Sequence, residues 1–169
     1  MNLFFLRHAK ACARGRKWAS DEARPLTRDG EKKMFEVARG IKALDLPLDL
    51  ILTSPSIRAF RTAEILGEIL ESKRVIETEN LAPEAALKSV IGEIKRKYPR
   101  SKEIALVGHE PFMSRLISVL LTGGDKLPLE LRKAGLCKLT VKSLRFSACG
   151  SLEWLLTPNQ LVCLGRGKR

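Results

Sequence analysis

The stretch Glu103-Ile104-Ala105-Leu106-Val107-Gly108-His109-Glu110-Pro111 reads as a strand that stops at a histidine and hands over to a helix. Its apolar run is short, and β-branched residues lie at both ends of it. That is the pattern of a strand covered on both faces. Pro111 suits the start of the next helix, where its missing N–H forfeits no bond. That helix is expected to run to about Leu121, before the breaker Thr122-Gly123-Gly124-Asp125.

The same pattern recurs outward along the chain. Leu3 to Leu6 is an apolar run that ends at Arg7-His8. Thr27 reads as an N-cap, with Met34, Val37, Ala38 and Ile41 at helical spacing behind it. Asp49 to Thr53 is a second strand, and Ser56 to Leu70 a helix with Ala59, Ala63, Leu66 and Leu70 on one face. Arg74 to Ile76 is a short strand, followed by a helix from Pro83 to Lys97. Cys137 to Val141 and Leu152 to Leu156 are strands, and Pro158 to Cys163 a short closing helix. Strands alternating with helices imply an α/β three-layer sandwich, with a mostly parallel central sheet and helices on both faces. No linker or repeat interrupts residues 1–169, which read as one domain. The tail Gly165-Arg166-Gly167-Lys168-Arg169 is expected to be frayed and solvated.

Composition narrows the class. The chain has 169 residues, 44% hydrophobic and 30% charged, which suits one globular domain rather than a disordered chain. No apolar run approaches the roughly 20 residues of a membrane helix. The N-terminal run ends too early for a signal peptide, so a cytoplasmic location is expected. Cys12, Cys137, Cys149 and Cys163 are scattered without a C-x-x-C pair, so reduced thiols are expected and no zinc ribbon is implied. No metal or organic cofactor is suggested. The net charge of +12 favours an anionic partner without choosing among phosphate esters, phosphoproteins and nucleic acid.

Position supplies the chemistry. The chain has two histidines, and each directly follows the end of an expected strand. In open α/β sheets, ligands bind beyond the carboxyl ends of the strands. Parallel neighbouring strands would bring His8 and His109 to one edge. The strand ending at Thr53-Ser54-Pro55 leads into a helix with Arg58 in its first turn. Arginine opposes the helix dipole there, and a bound anion would resolve the conflict. Arg7 adds a guanidinium beside His8. Two histidines and two arginines around one anion suggest phosphoryl transfer, which needs in-line geometry and charge compensation. Flanking arginines disfavour imidazolium and keep a histidine nucleophile unprotonated.

These residues carry a family resemblance. Leu6-Arg7-His8-Ala9 resembles the signature of the histidine phosphatase superfamily, with Ala9 as in its SixA branch of small phosphohistidine phosphatases. Arg24-Pro25-Leu26-Thr27 with Gly30, Thr53-Ser54-Pro55 with Arg58-Ala59 and Thr62-Ala63-Glu64, and Val107-Gly108-His109-Glu110-Pro111 resemble further blocks. The resemblance extends over positions 3 to about 120, and again at Leu155-Leu156-Thr157-Pro158. It implies His8 as the phosphorylated nucleophile, Arg7 and Arg58 as phosphate ligands and His109 as the second histidine on the phosphoryl oxygens. It also places Arg24 at the pocket edge as a substrate contact. The position of Arg61 often holds Gln in relatives, and Arg61 is not counted as catalytic. Larger members carry an acidic proton donor, for which Glu84 is the candidate and Glu110 a further one; a first helical turn would equally explain either.

The expected substrate is a phosphorylated protein, such as a phosphohistidine-bearing phosphotransfer domain, or a small phosphate ester. A phosphorylated imidazole leaves without a dedicated acid, whereas an alkoxide needs one. Alternatives are a phosphomonoesterase or mutase acting on small metabolites, or a non-catalytic anion- or nucleic-acid-binding module. Few aromatic residues are available for base stacking, with Tyr98 the single tyrosine, which argues against nucleic acid. Cys163 to Arg169 fits C-x5-R spacing, but no helix follows to support a phosphate loop.

Overall fold

In the computed structural model, which describes residues 1–72 and 74–167, Leu3 and Phe5 pack on one side of a sheet and Phe4 and Leu6 on the other. All four are buried. Alternation of side chains along a strand therefore feeds two cores. The elements run β1 (Asn2–Arg7), α1 (Arg28–Ala43), β2 (Leu50–Thr53), α2 (Ile57–Leu70), β3 (Val75–Glu77), a 3₁₀ turn (Glu79–Leu81), α3 (Leu87–Lys97), β4 (Glu103–Gly108), α4 (Phe112–Thr122), β5 (Leu136–Val141), β6 (Gly150–Leu156) and α5 (Pro158–Arg166). The sheet order is β3-β2-β4-β1-β5-β6. The first four strands of that order are parallel, and β5 and β6 are antiparallel additions. The α/β sandwich expected from the alternation is present.

One core holds Val90, Ile91 and Ile94 of α3 and Leu116, Ile117 and Leu120 of α4 against Leu3, Phe5, Leu50, Leu52, Ile104 and Leu106. The other holds Met34, Val37 and Ile41 of α1, Ala63 and Leu66 of α2 and Leu161 of α5 against Phe4, Leu6, Ile51 and Val107. Each large side chain buried this way contributes about 1.5–3 kcal/mol. Gly40 lets α1 and α5 approach closely, since a Cβ there would lie 1.8 Å from the Leu161 carbonyl oxygen.

Local signals explain the element ends. The Thr27 hydroxyl accepts from Gly30 N–H at 2.9 Å, as an N-cap should. Thr157 and Gln160 form a capping box with Pro158 in the first turn of α5. Two expectations need correction. The helix expected from Pro83 begins at Leu87. Ala82 is extended at φ −61 and ψ 153, and the chain then turns through residues 83–85 instead of entering a helix at Pro83. The tail expected to be frayed from Gly165 is helical through Arg166, because Gly165 packs against Gly40; Lys168 and Arg169 lie outside the described residues.

Register places the site. Arg7 pairs with Gly108 between β1 and β4, and Thr53 pairs with Val107 between β2 and β4. His8, Ser54 and His109 therefore emerge at one edge. The antiparallel β5 starts where β1 ends, so the loop carrying Leu131 and Lys133 reaches the same edge.

Candidate active site

His8 and His109 face each other across the β1–β4 pair. The His8 N–H donates to the Gly108 carbonyl at 3.0 Å. The ring centroids lie 5.0 Å apart, inclined at 56°. Both side chains are buried in the floor of a cleft of about 440 Å³. The loop after His8 is tied down by α2: Ala9 N–H donates to Thr62 Oγ1 at 3.1 Å, and Thr62 Oγ1 donates to the Arg58 carbonyl at 2.7 Å.

The hydrogen bonds set the tautomers. His8 Nδ1 lies 2.7 Å from the Ala9 carbonyl oxygen. A carbonyl only accepts, so Nδ1 carries the proton and Nε2 keeps its lone pair. Burial, then the Arg58, Arg7 and Lys133 cations, lower the His8 pKa to about 4 against the opposing Ala9 bond. The arginines thus act as expected from sequence, but burial is the larger cause.

His109 has the opposite tautomer. Its Nδ1 lies 3.3 Å from Arg58 Nη2, which can only donate. Its Nε2–H therefore points to Ser54 Oγ at 2.8 Å and Ser56 Oγ at 3.1 Å. Burial, then His8 and Arg58, lower its pKa to about 3. Ser56 is the N-cap residue of α2, yet its side chain makes no cap bond. Its hydroxyl serves His109 instead.

Arg7 and Arg58 flank the pair. Arg7 Nη1 donates to the Leu131 carbonyl at 3.0 Å. Arg58 donates through Nη1 and Nη2 to the Asp21 carbonyl oxygen and to Asp21 Oδ2. Arg7 Nε and Arg58 Nε are buried without a partner. Both residues line the cleft, so the two guanidinium groups keep an unmatched donor beside the imidazoles. Such donors are costly unless a ligand satisfies them.

The remaining candidates divide. Arg24 lines the cleft, donating to Asp21 Oδ1 at 2.9 Å and to the Cys12 carbonyl at 2.6 Å. Glu84 lines the opposite wall, in the turn ahead of α3 rather than in a helical turn, so the helix dipole does not account for it. That wall is anchored from behind by buried Glu93, which accepts from Asn80 at 2.7 Å and from Lys97 at 2.8 Å. Glu110 also lines the cleft; its Oε2 accepts from Ser114 Oγ, and its Oε1 is buried without a partner. Arg61 points away, paired with Glu31 and Glu64. Cys163 lies inside α5, so no phosphate loop starts there. Sequence reasoning missed Asp21, Ser54 and Ser56 as site residues, and Lys133 on the rim. The adjacency of Ser54 and Ser56 to a strand end was the only available signal. Among the described residues, no group of three or more His, Cys, Asp or Glu side chains is placed to hold a metal ion. Nor, among the described residues, is any helix long and apolar enough to cross a membrane.

An imidazole with a free Nε2 lone pair, set between buried guanidinium donors at the carboxyl edge of a parallel sheet, marks an α/β domain suited to a phosphoryl group. The chain belongs to the histidine phosphatase superfamily, whose branch 1 family model matches residues 3–83. It is 34% identical over 149 residues to an uncharacterized protein of Picosynechococcus sp., covering 88% of this chain and 90% of that protein. It is 24% identical over 166 residues to the phosphohistidine phosphatase SixA of Escherichia coli, covering 95% and 96%. A structure of the protein histidine phosphatase SixA complexed with tungstate has the same fold, with TM-score 0.82, 23% identity and coverage of 95% and 99%. So does an alpha-ribazole phosphatase from Shigella flexneri, with TM-score 0.73, 16% identity and coverage of 94% and 97%.

Proposed function

We propose that the chain hydrolyses a phosphorylated substrate, a protein phosphohistidine above all, through a phosphohistidine on His8. The observation that carries the reading is the pair of unpartnered guanidinium donors beside an imidazole whose Nε2 holds its lone pair. In the first step Nε2 attacks phosphorus in line, and the Nε2–P bond forms as the bond to the leaving group breaks. The leaving electron pair returns to the substrate ring nitrogen, which takes a proton from solvent. In the second step water attacks phosphorus, the P–Nε2 bond breaks with its electron pair returning to Nε2, one water proton goes to solvent, and inorganic phosphate and free His8 result. Arg7 and Arg58 compensate the charge on the phosphoryl oxygens. His109 adjoins the same oxygens and bonds to them once its proton moves from Nε2 to Nδ1, and Arg24 holds the substrate at the rim. This arrangement supplies its positive charge from side chains and calls on no metal.

The cleft mouth supports a substrate presented on a protein. Arg14, Glu22, Glu84 and Lys133 on its rim are all exposed. The four cysteines are free thiols, which suits a reducing compartment such as the cytoplasm. A second reading is a small phosphate ester. It is favoured by Glu84 and Glu110 in the wall, either of which could protonate an alkoxide.

The test is phosphate release from a phosphohistidine-bearing protein and from alkyl phosphomonoesters, for wild type, His8→Ala and Glu84→Gln. Release that needs His8, favours phosphohistidine and survives Glu84→Gln is expected. Monoester hydrolysis that collapses in Glu84→Gln would move the substrate to small esters. Wild-type rates in His8→Ala would sink the mechanism.

A further inference from the structure

The outer face of the cleft is organised around one carboxylate. Asp21 Oδ2 accepts from Arg58 Nη2 at 2.9 Å. Its Oδ1 accepts from Arg24 Nε and from Arg14 Nε, each at 2.9 Å. Its backbone carbonyl accepts from Arg58 Nη1. Asp21 therefore binds the end of the Arg58 fork, between the two terminal nitrogens. The other edge, Nε with the far hydrogen of Nη2, is left facing His109 Nδ1, and its Nε–H has no partner. The Arg58 side chain is only 4% exposed, whereas that of Asp21 is 40% exposed, on a loop at the cleft mouth.

Two consequences follow from elementary electrostatics. Held at its end, the guanidinium cannot swing, and its inner edge is aimed at the phosphoryl position. A carboxylate this close also repels a phosphate dianion and offsets much of the charge of Arg58, Arg24 and Arg14. A cleft with unopposed arginines would hold inorganic phosphate tightly and release it slowly.

We propose that Asp21 is a positioning residue that aims the inner edge of Arg58 at the transferring phosphoryl group and, through its negative charge, limits the hold of the cleft on free phosphate. The inference rests on the phosphatase reading of the site. The two roles separate on mutation. Asp21→Asn keeps a side-chain acceptor and removes the charge. Asp21→Ala removes the side-chain contact altogether.

The experiment measures binding of inorganic phosphate by calorimetry and kcat on the phosphohistidine-bearing protein, for wild type and both variants. Asp21→Asn is expected to bind phosphate about tenfold more tightly. Asp21→Ala is expected to lose about tenfold in kcat. A loop anchor with no electrostatic role would weaken phosphate binding in both variants, and that result overturns the proposal. So does phosphate affinity unchanged in Asp21→Asn, kcat unchanged in Asp21→Ala, or a wild type that does not bind phosphate. Asp21 lies on an exposed loop, and wild-type circular dichroism and melting in the variants check that the fold is kept. If the wild type binds phosphate but hydrolyses no substrate, the phosphatase reading fails, and the affinity comparison still decides the charge role.

Discussion

In the proposed reaction His8 attacks only while Nε2 holds its lone pair, and the fold arranges this twice over. The Ala9 carbonyl fixes the proton on Nδ1, and burial with flanking cations keeps a second proton off. The chain has two histidines, so their ring signals in a proton NMR titration are simple to follow. Both rings are expected to stay neutral down to about pH 5, with midpoints at about 4 and about 3. A midpoint near the ordinary 6.5 for either would contradict the buried pair. Ser54 and Ser56 hold the other ring by its Nε2–H. Removing both hydroxyls in Ser54→Ala/Ser56→Ala should free His109 to turn and lower kcat by on the order of a hundredfold, with smaller change in KM. A kcat within twofold of wild type would show that the hydroxyls do not position the ring. The principal candidates were legible for a positional reason: His8, His109, Arg7 and Arg58 lie one or a few residues from a strand end. Asp21 was not, because its contact with Arg58 spans 37 positions and closes across a loop. Ser56 was hidden by its own type, since serine ahead of a helix reads as a cap.

At the scale of elements, periodicity was a good guide wherever one face meets a core. The strands and the cores of α1, α2 and α4 lie where the apolar spacing put them. It failed where backbone rather than side-chain pattern decides. Pro83 looked like a helix start, but the backbone turns through residues 83–85 first, and Glu84 lies on the cleft wall. The antiparallel direction of β5 was also illegible, because alternation does not encode direction. Yet that direction is what brings Lys133 and the Leu131 carbonyl to Arg7. The α1–α5 contact offers a sharp test. Gly40→Ala would drive a methyl into the Leu161 carbonyl and is expected to destabilise the fold by at least about 2 kcal/mol. Gly92, in α3, has open space around its Cβ position, and Gly92→Ala should stabilise by about 0.5–1 kcal/mol through helix propensity. A urea midpoint for Gly40→Ala at or above that of wild type would refute the close approach of the two helices.

For the whole molecule, the two buried histidines couple the chemistry to folding. In the native state they are neutral above about pH 4 and about pH 3, while in the unfolded chain each takes a proton near pH 6.5. Between these values the unfolded state binds more protons, so stability rises with pH. It is fully present above about 6.5 and is lost as the pH falls toward the native values. From pH 6.5 down to about pH 5, each histidine removes about 2 kcal/mol of stability. For a domain of this size the two together lower Tm by roughly 10 °C. The net charge of +12 also disfavours the compact state, increasingly so as carboxylates protonate, and wild type alone cannot separate the two effects. The variant His8→Asn/His109→Gln can, because it keeps the background charge and removes the titrating rings. Its Tm should fall far less between about pH 7.5 and about pH 5 than that of wild type. Parallel pH curves for the two proteins would mean that acid acts through general charge repulsion and that the site exacts no toll on the fold.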